Sequence, residues 1–181
     1  MEIYLMLGAT VCAIIGGASD VHSRRIPNWL TYTSLALALA VRGVFGGWRS
    51  LGEGAGGSLL CGGIFFALFL IHAMGGGDVK LMAATSAWVG IHNAVILLIA
   101  TALAGGVLAV AYMVFYKKIG STFRNIGMLL QFHTYFGAQP HPEINAQNPA
   151  TIRLPYGLAI AIGALYLLLS ASNIPGVIYG H

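Results

Sequence analysis

The stretch LCGGIFFALFLIHAMGGGDVK, residues 60–80, decides the fold of this chain. Its first fifteen residues are almost wholly apolar, and three glycines, an aspartate and a lysine follow at once. A run of about 20 apolar residues is long enough to cross the hydrocarbon core of a bilayer as a helix. The stretch therefore predicts a membrane-spanning helix over 55–74, and it raises the question of why Asp78 follows so closely.

The composition indicates a bilayer environment for the whole chain. Of the 181 residues, 57% are hydrophobic and only 8% are charged, whereas soluble domains carry about 25% charged residues. The formal net charge of +4 therefore does not indicate a nucleic-acid partner, and the nine basic residues are better interpreted as signals of membrane topology. We expect membrane lipid around the chain and no nucleic acid.

Six apolar segments predict membrane crossings. They are residues 2–19, 29–47, 55–74, 79–92, 94–116 and 154–173. The fourth is the shortest and, at about 1.5 Å per residue, reaches only about 20 Å of the roughly 30 Å hydrocarbon core. We therefore predict an all-α, polytopic membrane protein with six transmembrane helices, in which residues 1–181 form one domain. The GGGD segment would lie below the membrane surface, in a recess lined by protein.

The distribution of lysine and arginine predicts the orientation. With the N-terminus outside, six spans place seven of the nine basic residues on the cytoplasmic side, as the positive-inside rule requires. These seven are Arg24, Arg25, Lys80, Lys117, Lys118, Arg124 and Arg153. Arg42 and Arg49 remain near the outer side, and we expect the Arg42 side chain to extend to the surface from the end of the second span.

Residues 117–153 form the one long polar segment. Apolar residues recur at mostly helical spacing in its first half, which predicts an amphipathic helix on the cytoplasmic membrane face. The second half is rich in proline and asparagine and predicts a loop. That loop is a lid, a docking segment for substrate, or a plain connector.

Asp20 and Asp78 are the only aspartates in the chain. Under this topology both lie at cytoplasmic ends of spans, and ionisable groups in a membrane are costly enough to indicate a function. The alternative for either residue alone is a helix cap. Where two carboxyl groups share one site, one keeps its proton while the other ionises, so the pair can act as general acid and general base on a water molecule. Gly75, Gly76 and Gly77 would give the backbone the freedom to line a cavity that admits water and peptide.

No metal and no cofactor are expected. The two cysteines and six histidines show none of the spacings typical of metal ligands, and chemistry by two carboxyl groups needs neither. Lys80 has two interpretations. It is a cation that stabilises the ionised carboxyl or contacts a carboxylate of the substrate, or it is a positive residue that marks the cytoplasmic end of its helix.

Three motifs follow one another along the chain: SDVHSRRIPNWLT at residues 19–31, GGGDVK at 75–80 and RLPYGLAIAIGAL at 153–165. The first resembles the prepilin peptidase pattern in which an aspartate precedes a basic stretch and Ile-Pro-Asn. The second is similar to the GxGD motif of intramembrane aspartyl proteases. The third resembles the Pro-Tyr/Phe-Gly segment that opens the last helix of prepilin peptidases. The chain is most similar to the short form of that family found in Flp/Tad-type pilus systems.

The resemblance implies a function and a site. Asp20 and Asp78 would form the catalytic dyad of an aspartic endopeptidase in the bacterial inner membrane. This enzyme would remove the basic leader from type IV prepilin-like, Flp-type substrates after a glycine, at the cytoplasmic face. Long members of the family also methylate the new N-terminus through a domain with paired CxxC motifs. This sequence contains no CxxC motif, so no methyltransferase activity is expected.

Two other functions are consistent with the sequence. Paired carboxyl groups in a membrane also serve as proton relays, which would suit a small proton-coupled transporter. Such transporters hold their carboxylates near the midplane and are often built from repeats, neither of which is evident here. A non-catalytic membrane subunit of a pilus assembly machine is the other alternative, and it would tolerate the loss of either aspartate.

Overall fold

The computed structural model describes residues 2–71, 73–117 and 154–173, together with positions 120, 127, 128, 131 and 134. Residues 2–71, 73–117 and 154–173 contain four helices: α1 (Glu2–Ser23), α2 (Asn28–Leu70), α3 (Gly76–Phe115) and α4 (Tyr156–Asn173). The first three are long and apolar enough to cross a membrane, and α4 is a shorter apolar helix. Within the described residues the prediction of an all-α fold with apolar helices long enough to cross a membrane is confirmed. The predicted amphipathic helix and loop of 117–153 lie outside the described residues, apart from isolated positions.

One glycine breaks each of the two longest helices. Gly47 in α2 has φ 68° and ψ −170°, and Gly90 in α3 has φ 80° and ψ 168°. This region of backbone space is essentially restricted to glycine. The two helices contain 43 and 40 residues, so each would be about 60 Å long if straight, twice the hydrocarbon thickness of a bilayer.

The chain folds back on itself at Gly47. In a straight helix, residues 42 and 54 would be about 18 Å apart. In the structure, Arg42 Nη1 donates a hydrogen bond to the Ser50 carbonyl oxygen over 3.3 Å, and a Cβ atom on Gly54 would lie 2.6 Å from Arg42 Cδ. The first part of α2 (28–46) is therefore packed against the second part (48–70).

A second reversal occurs at Gly90. In the second part of α2, Gly54 lies against Ala87 and Gly62 lies against Ala83 in the first part of α3 (76–89). Residue numbers rise along one segment as they fall along the other, so these segments are antiparallel. In the second part of α3 (91–115), Ile91 lies against Gly56 and Ala94 lies against Cys61. Residue numbers rise together here, so these segments are parallel. The two parts of α3 therefore run in opposite directions.

Arg42 lies inside the molecule between these two breaks, with 1% of its surface exposed. Its Nε and Nη2 donate to the Trp88 carbonyl oxygen over 3.1 and 2.8 Å, and its Nη1 donates to Ser50 Oγ over 3.1 Å. The expectation that Arg42 extends to the outer surface is wrong. The break at Gly90 leaves the Trp88 carbonyl without its partner within the helix, and the guanidinium group turns inward to supply one.

The direction of α1 brings three helix ends together. Gly8 and Gly16 of α1 lie against Trp88 and Leu81 of α3, so α1 is antiparallel to the first part of α3. The contacts of α1 with α4 also run in opposite directions, in the pairs Gly17 with Gly157 and Thr10 with Ala164. The C-terminus of α1 therefore meets the N-termini of α3 and α4 at one end of the bundle.

Candidate active site

Asp20 lies in the last turn of α1, where its side chain is half-buried. The helix ends because Arg24 adopts the left-handed conformation, with φ 52°, and donates its N–H to the Asp20 carbonyl oxygen over 2.8 Å. Ser19 Oγ donates to the Arg25 carbonyl oxygen over 2.8 Å and ties down the turn that follows. The backbone that carries Asp20 is therefore held on both sides of the helix end.

The first turn of α4 holds the Asp20 side chain. The Gly157 N–H donates to Asp20 Oδ2 over 2.9 Å. Gly157 is the second residue of α4, so this N–H is one of the groups left without a partner at a helix N-terminus, where the helix dipole also favours an anion. A Cβ atom on Gly157 would lie 2.9 Å from Asp20 Cβ and 3.0 Å from Asp20 Oδ2. Only glycine allows the two helices to approach this closely.

Asp78 is the third residue of α3, after the N-cap residue Gly75. The Gly75 backbone N–H stabilises the charged form of the Asp78 carboxyl group electrostatically, and a Cβ atom on Gly75 would lie 3.1 Å from Asp78 Oδ2. The carboxyl group therefore lies beside the backbone at the N-terminus of its own helix, where the helix dipole favours an anion. It remains half-buried at the end of the bundle.

The structure brings the two predicted aspartates to one site. The Asp78 carboxyl group is close enough to the Asp20 carboxyl group for their charges to interact. The Tyr156 side chain is likewise close enough to Asp78 to interact with its charge. These three residues come from the last turn of α1 and the first turns of α3 and α4. Such a pair of half-buried carboxyl groups can supply both a proton acceptor and a proton donor.

The three glycines before Asp78 differ from the expected irregular backbone. Gly76 and Gly77 are already helical, and only Gly75 is extended, with φ −81° and ψ 146°. A Cβ atom on Gly77 would lie 3.3 Å from Ile26 Cβ, in the turn between α1 and α2. The small size of Gly77 therefore allows that turn to lie against the start of α3, so the role seen at this position is close packing.

Lys80 makes its polar contacts with residues other than the two aspartates. Its Nζ donates to Asn28 Oδ1 over 2.9 Å and lies 5.2 Å from the centroid of the Tyr32 ring. In the part of the chain that the structure describes, the ion pairs within 4.0 Å are those of Glu53 with arginine. A direct contact of Lys80 with the two aspartates is thus not formed, and its predicted contact with substrate stays a prediction.

The hydrogen bond between Gly157 and Asp20 is the feature of the site that the sequence did not predict. This bond depends on an approach between residues 137 positions apart, which no local pattern contains. The Pro-Tyr-Gly motif at the start of the last helix was the available signal. Among residues 2–71, 73–117 and 154–173, no group of three His, Cys, Asp or Glu side chains could hold a metal ion.

Fold and site together define a class: a helical, membrane-inserted protein with two carboxyl groups at one end of its bundle. The sequence model of the type IV leader peptidase family matches residues 7–110, which is more than half of the chain. The chain belongs to the type IV leader peptidase family. The matched region includes Asp20 and Asp78 and ends before α4. Comparison with curated proteins and comparison with solved structures give no match.

Proposed function

We propose that this peptidase is an aspartic endopeptidase in which Asp20 and Asp78 activate a water molecule. One observation carries the proposal: three helix ends converge so that the two carboxyl groups lie within electrostatic range. The Asp20 carboxyl group also accepts the Gly157 N–H, and the Asp78 carboxyl group lies beside the Gly75 backbone at the start of α3. Hydrogen bonds from rigid backbone hold a carboxyl group in position, as acid–base catalysis requires.

The reaction follows from this pair. The ionised carboxylate takes a proton from water as the water oxygen attacks the scissile carbonyl carbon. The protonated carboxyl group donates a hydrogen bond to the carbonyl oxygen and stabilises the negative charge that develops there. The tetrahedral intermediate then collapses, the C–N bond breaks, and a proton passes to the leaving amine. The division of roles is a property of the coupled pair.

The substrate that we propose is the leader junction of a type IV, Flp-type prepilin, cleaved after a glycine at the cytoplasmic face of the inner membrane. The support is the resemblance of residues 19–31, 75–80 and 153–165 to prepilin peptidase motifs. A peptide bond within a helix is shielded and hydrogen-bonded, so the junction must unwind beside the carboxyl groups. The proposal covers peptide-bond cleavage and includes no methyl transfer.

We also propose six membrane crossings with the N-terminus outside. The reversals at Gly47 and Gly90 support this count, because each divides a helix of about 60 Å into two segments. Trp29 and Trp48 are 66% and 87% exposed and 19 residues apart, or about 28 Å along a helix. That separation matches the roughly 30 Å hydrocarbon core, at whose two interfaces tryptophan is enriched.

The position of the carboxyl groups weighs against a proton-coupled transporter. Asp20 lies three residues before the end of α1, and Asp78 is the third residue of α3. Transporters of this kind usually bind their ions near the middle of the membrane, at broken helices. The breaks at Gly47 and Gly90 belong to the opposite end of the bundle, where Arg42 occupies the space between them.

Cleavage of a Flp-type prepilin by the purified protein in detergent or liposomes tests the proposal. We expect Asp20→Asn and Asp78→Asn each to lower the rate by about 10²–10⁴-fold, the usual contribution of a general acid or base. Glu53→Gln is the matched control, because it removes a carboxyl group that pairs with Arg42 and Arg49. If both aspartate variants process the substrate as fast as wild type, the dyad is wrong. Intact pilus assembly in cells with such variants would favour a non-catalytic subunit.

A further inference from the structure

A groove of about 370 Å³ lies on the surface between the two parts of α2 and the first part of α3. We call it the α2–α3 groove. Its walls are mainly apolar and include Leu35, Leu59 and Phe66, of which Leu59 and Phe66 are 76% and 50% exposed. Gly63 also lines it, and a Cβ atom there would meet nothing within 4 Å. The groove is therefore open toward the surroundings of the bundle, and there is space for a side chain at position 63 on its wall.

One end of the α2–α3 groove carries a positive charge. Lys80 and Tyr32 line this end, and the Lys80 ammonium group is held by the neutral Asn28 Oδ1 atom and by the face of the Tyr32 ring. Asn28 is exposed and is the first residue of α2. Within the described residues, no carboxylate lies within 4.0 Å of Lys80. Its charge is available to an anionic group from outside the protein.

The dimensions of the groove decide between two kinds of occupant. A helix with its side chains is about 10 Å across and rises 5.4 Å per turn, so a single turn fills on the order of 400 Å³. The whole groove holds about 370 Å³, so a turn of a substrate helix does not fit inside it and could contact only its open side. An extended hydrocarbon chain is narrow enough to lie along it, and hydrocarbon chains surround the helices of a membrane protein.

We propose that the α2–α3 groove binds an anionic phospholipid, with one acyl chain along the apolar walls and the headgroup phosphate at the Lys80 ammonium group. Tyr32 and Asn28 hold that ammonium group in place at the end of the groove. Basic pockets between membrane helices bind anionic headgroups in this way. Because the bound lipid contacts both parts of α2 and the start of α3, it stabilises the folded state in proportion to its occupancy.

The test compares two lipids with identical acyl chains, phosphatidylglycerol and phosphatidylcholine, added to the full chain in detergent. Native mass spectrometry counts the retained lipids, and thermal unfolding gives the shift in Tm. We expect the anionic lipid to be retained and to raise Tm more than the zwitterionic lipid. Lys80→Gln should weaken phosphatidylglycerol binding about fivefold, the effect of one cation near the headgroup. Lys117→Gln, which removes a cation at the end of α3, should leave binding unchanged.

A second variant pair tests the acyl chain. Gly63→Leu fills the groove and should reduce retention of both lipids, whereas Gly106→Leu should not. A Cβ atom on Gly106 also meets nothing within 4 Å, but Gly106 does not line the groove. Equal affinity of Lys80→Gln and wild type for phosphatidylglycerol would overturn the proposal, as would equal binding of glycerol phosphate without acyl chains. If Gly63→Leu weakens substrate binding and leaves lipid retention unchanged, the groove belongs to the substrate and the proposal is wrong.

Discussion

At the scale of single residues, Gly157 determines how Asp20 is held. Its N–H lies 2.9 Å from Asp20 Oδ2, and its missing side chain allows α4 to approach α1. Gly17 shares this contact from α1, since a Cβ atom there would lie 2.8 Å from the Gly157 carbonyl oxygen. Two glycines thus face each other where the helices cross, and the carboxyl group of Asp20 lies just beyond them.

We predict that Gly157→Ala lowers kcat for leader cleavage by about 10-fold to 100-fold, because a misplacement of less than 1 Å in a reacting group has effects of this size. The added Cβ would lie 2.9 Å from Asp20 Cβ, so α1 or α4 must shift and the N–H···Oδ2 bond must lengthen. KM should change little, because Gly157 acts through Asp20. Gly106→Ala, in open space on α3, is the control. Unchanged kcat in Gly157→Ala would contradict this role.

The sequence predicted the two aspartates but not the contact of Gly157 with Asp20, and the reason is physical. Asp20 and Asp78 are unusual in themselves, because a charge in an apolar chain is costly and indicates a function without knowledge of the fold. A glycine among 25 glycines is not unusual, and its importance at position 157 appears only when the atoms opposite are known. Arg42 shows the same limit: its charge is visible in the sequence, but the Trp88 carbonyl that binds it is not.

At the scale of helices, the predicted ends of the apolar segments agree closely with the breaks. The second predicted span ends at residue 47 and the fourth at residue 92, and the structure has breaks at Gly47 and Gly90. Residues 48–54 were predicted to lie between spans, yet they are helical. Hydropathy marks where a chain leaves the bilayer, but a reversal at a single glycine with positive φ needs no loop at all.

Alanine substitutions at Gly47 and Gly90 distinguish the cost of backbone strain from the cost of a steric clash. We predict that Gly47→Ala lowers the free energy of unfolding by about 1–3 kcal/mol, the typical cost of a residue held in this region of φ and ψ. Its Cβ would meet nothing within 4 Å, so strain is the whole effect. Gly90→Ala should be less stable still, because its Cβ would also lie 2.8 Å from Arg42 Nη2. Equilibrium unfolding in detergent measures both.

The control for this pair is Gly106→Ala. Gly106 lies within α3, and a Cβ atom there has open space, so alanine should raise the free energy of unfolding by about 0.5–1 kcal/mol through its better helix propensity. A Gly47→Ala protein as stable as Gly106→Ala would mean that the reversal at Gly47 does not persist in the folded protein. The pairing of the two parts of α2 would then be wrong.

At the scale of the whole molecule, a buried cation joins the helices at the end opposite to the aspartates. Arg42 donates to the Trp88 carbonyl oxygen of α3 and to Ser50 in the second part of α2. Trp88 in turn donates its Nε1–H to Ser34 Oγ over 2.9 Å, which links α3 to the first part of α2. One hydrogen-bond network therefore joins both reversals and three helical segments. This network fixes the positions of these segments relative to one another at the end of the bundle opposite to the aspartates.

We predict that Arg42→Met lowers the free energy of unfolding by about 1–3 kcal/mol, the cost of leaving a buried carbonyl such as that of Trp88 without a donor. Buried ion pairs can often be replaced by apolar residues without loss, but here the main acceptors belong to the backbone and stay in place. Arg42→Lys should be intermediate, because an ammonium group cannot reproduce the planar fork of donors. Glu53→Gln should cost less than about 1 kcal/mol, since Glu53 is 47% exposed and 3.8 Å away. Equilibrium unfolding of the three variants measures these differences in stability. If Arg42→Met is as stable as Glu53→Gln, the guanidinium group does not hold the two reversals together.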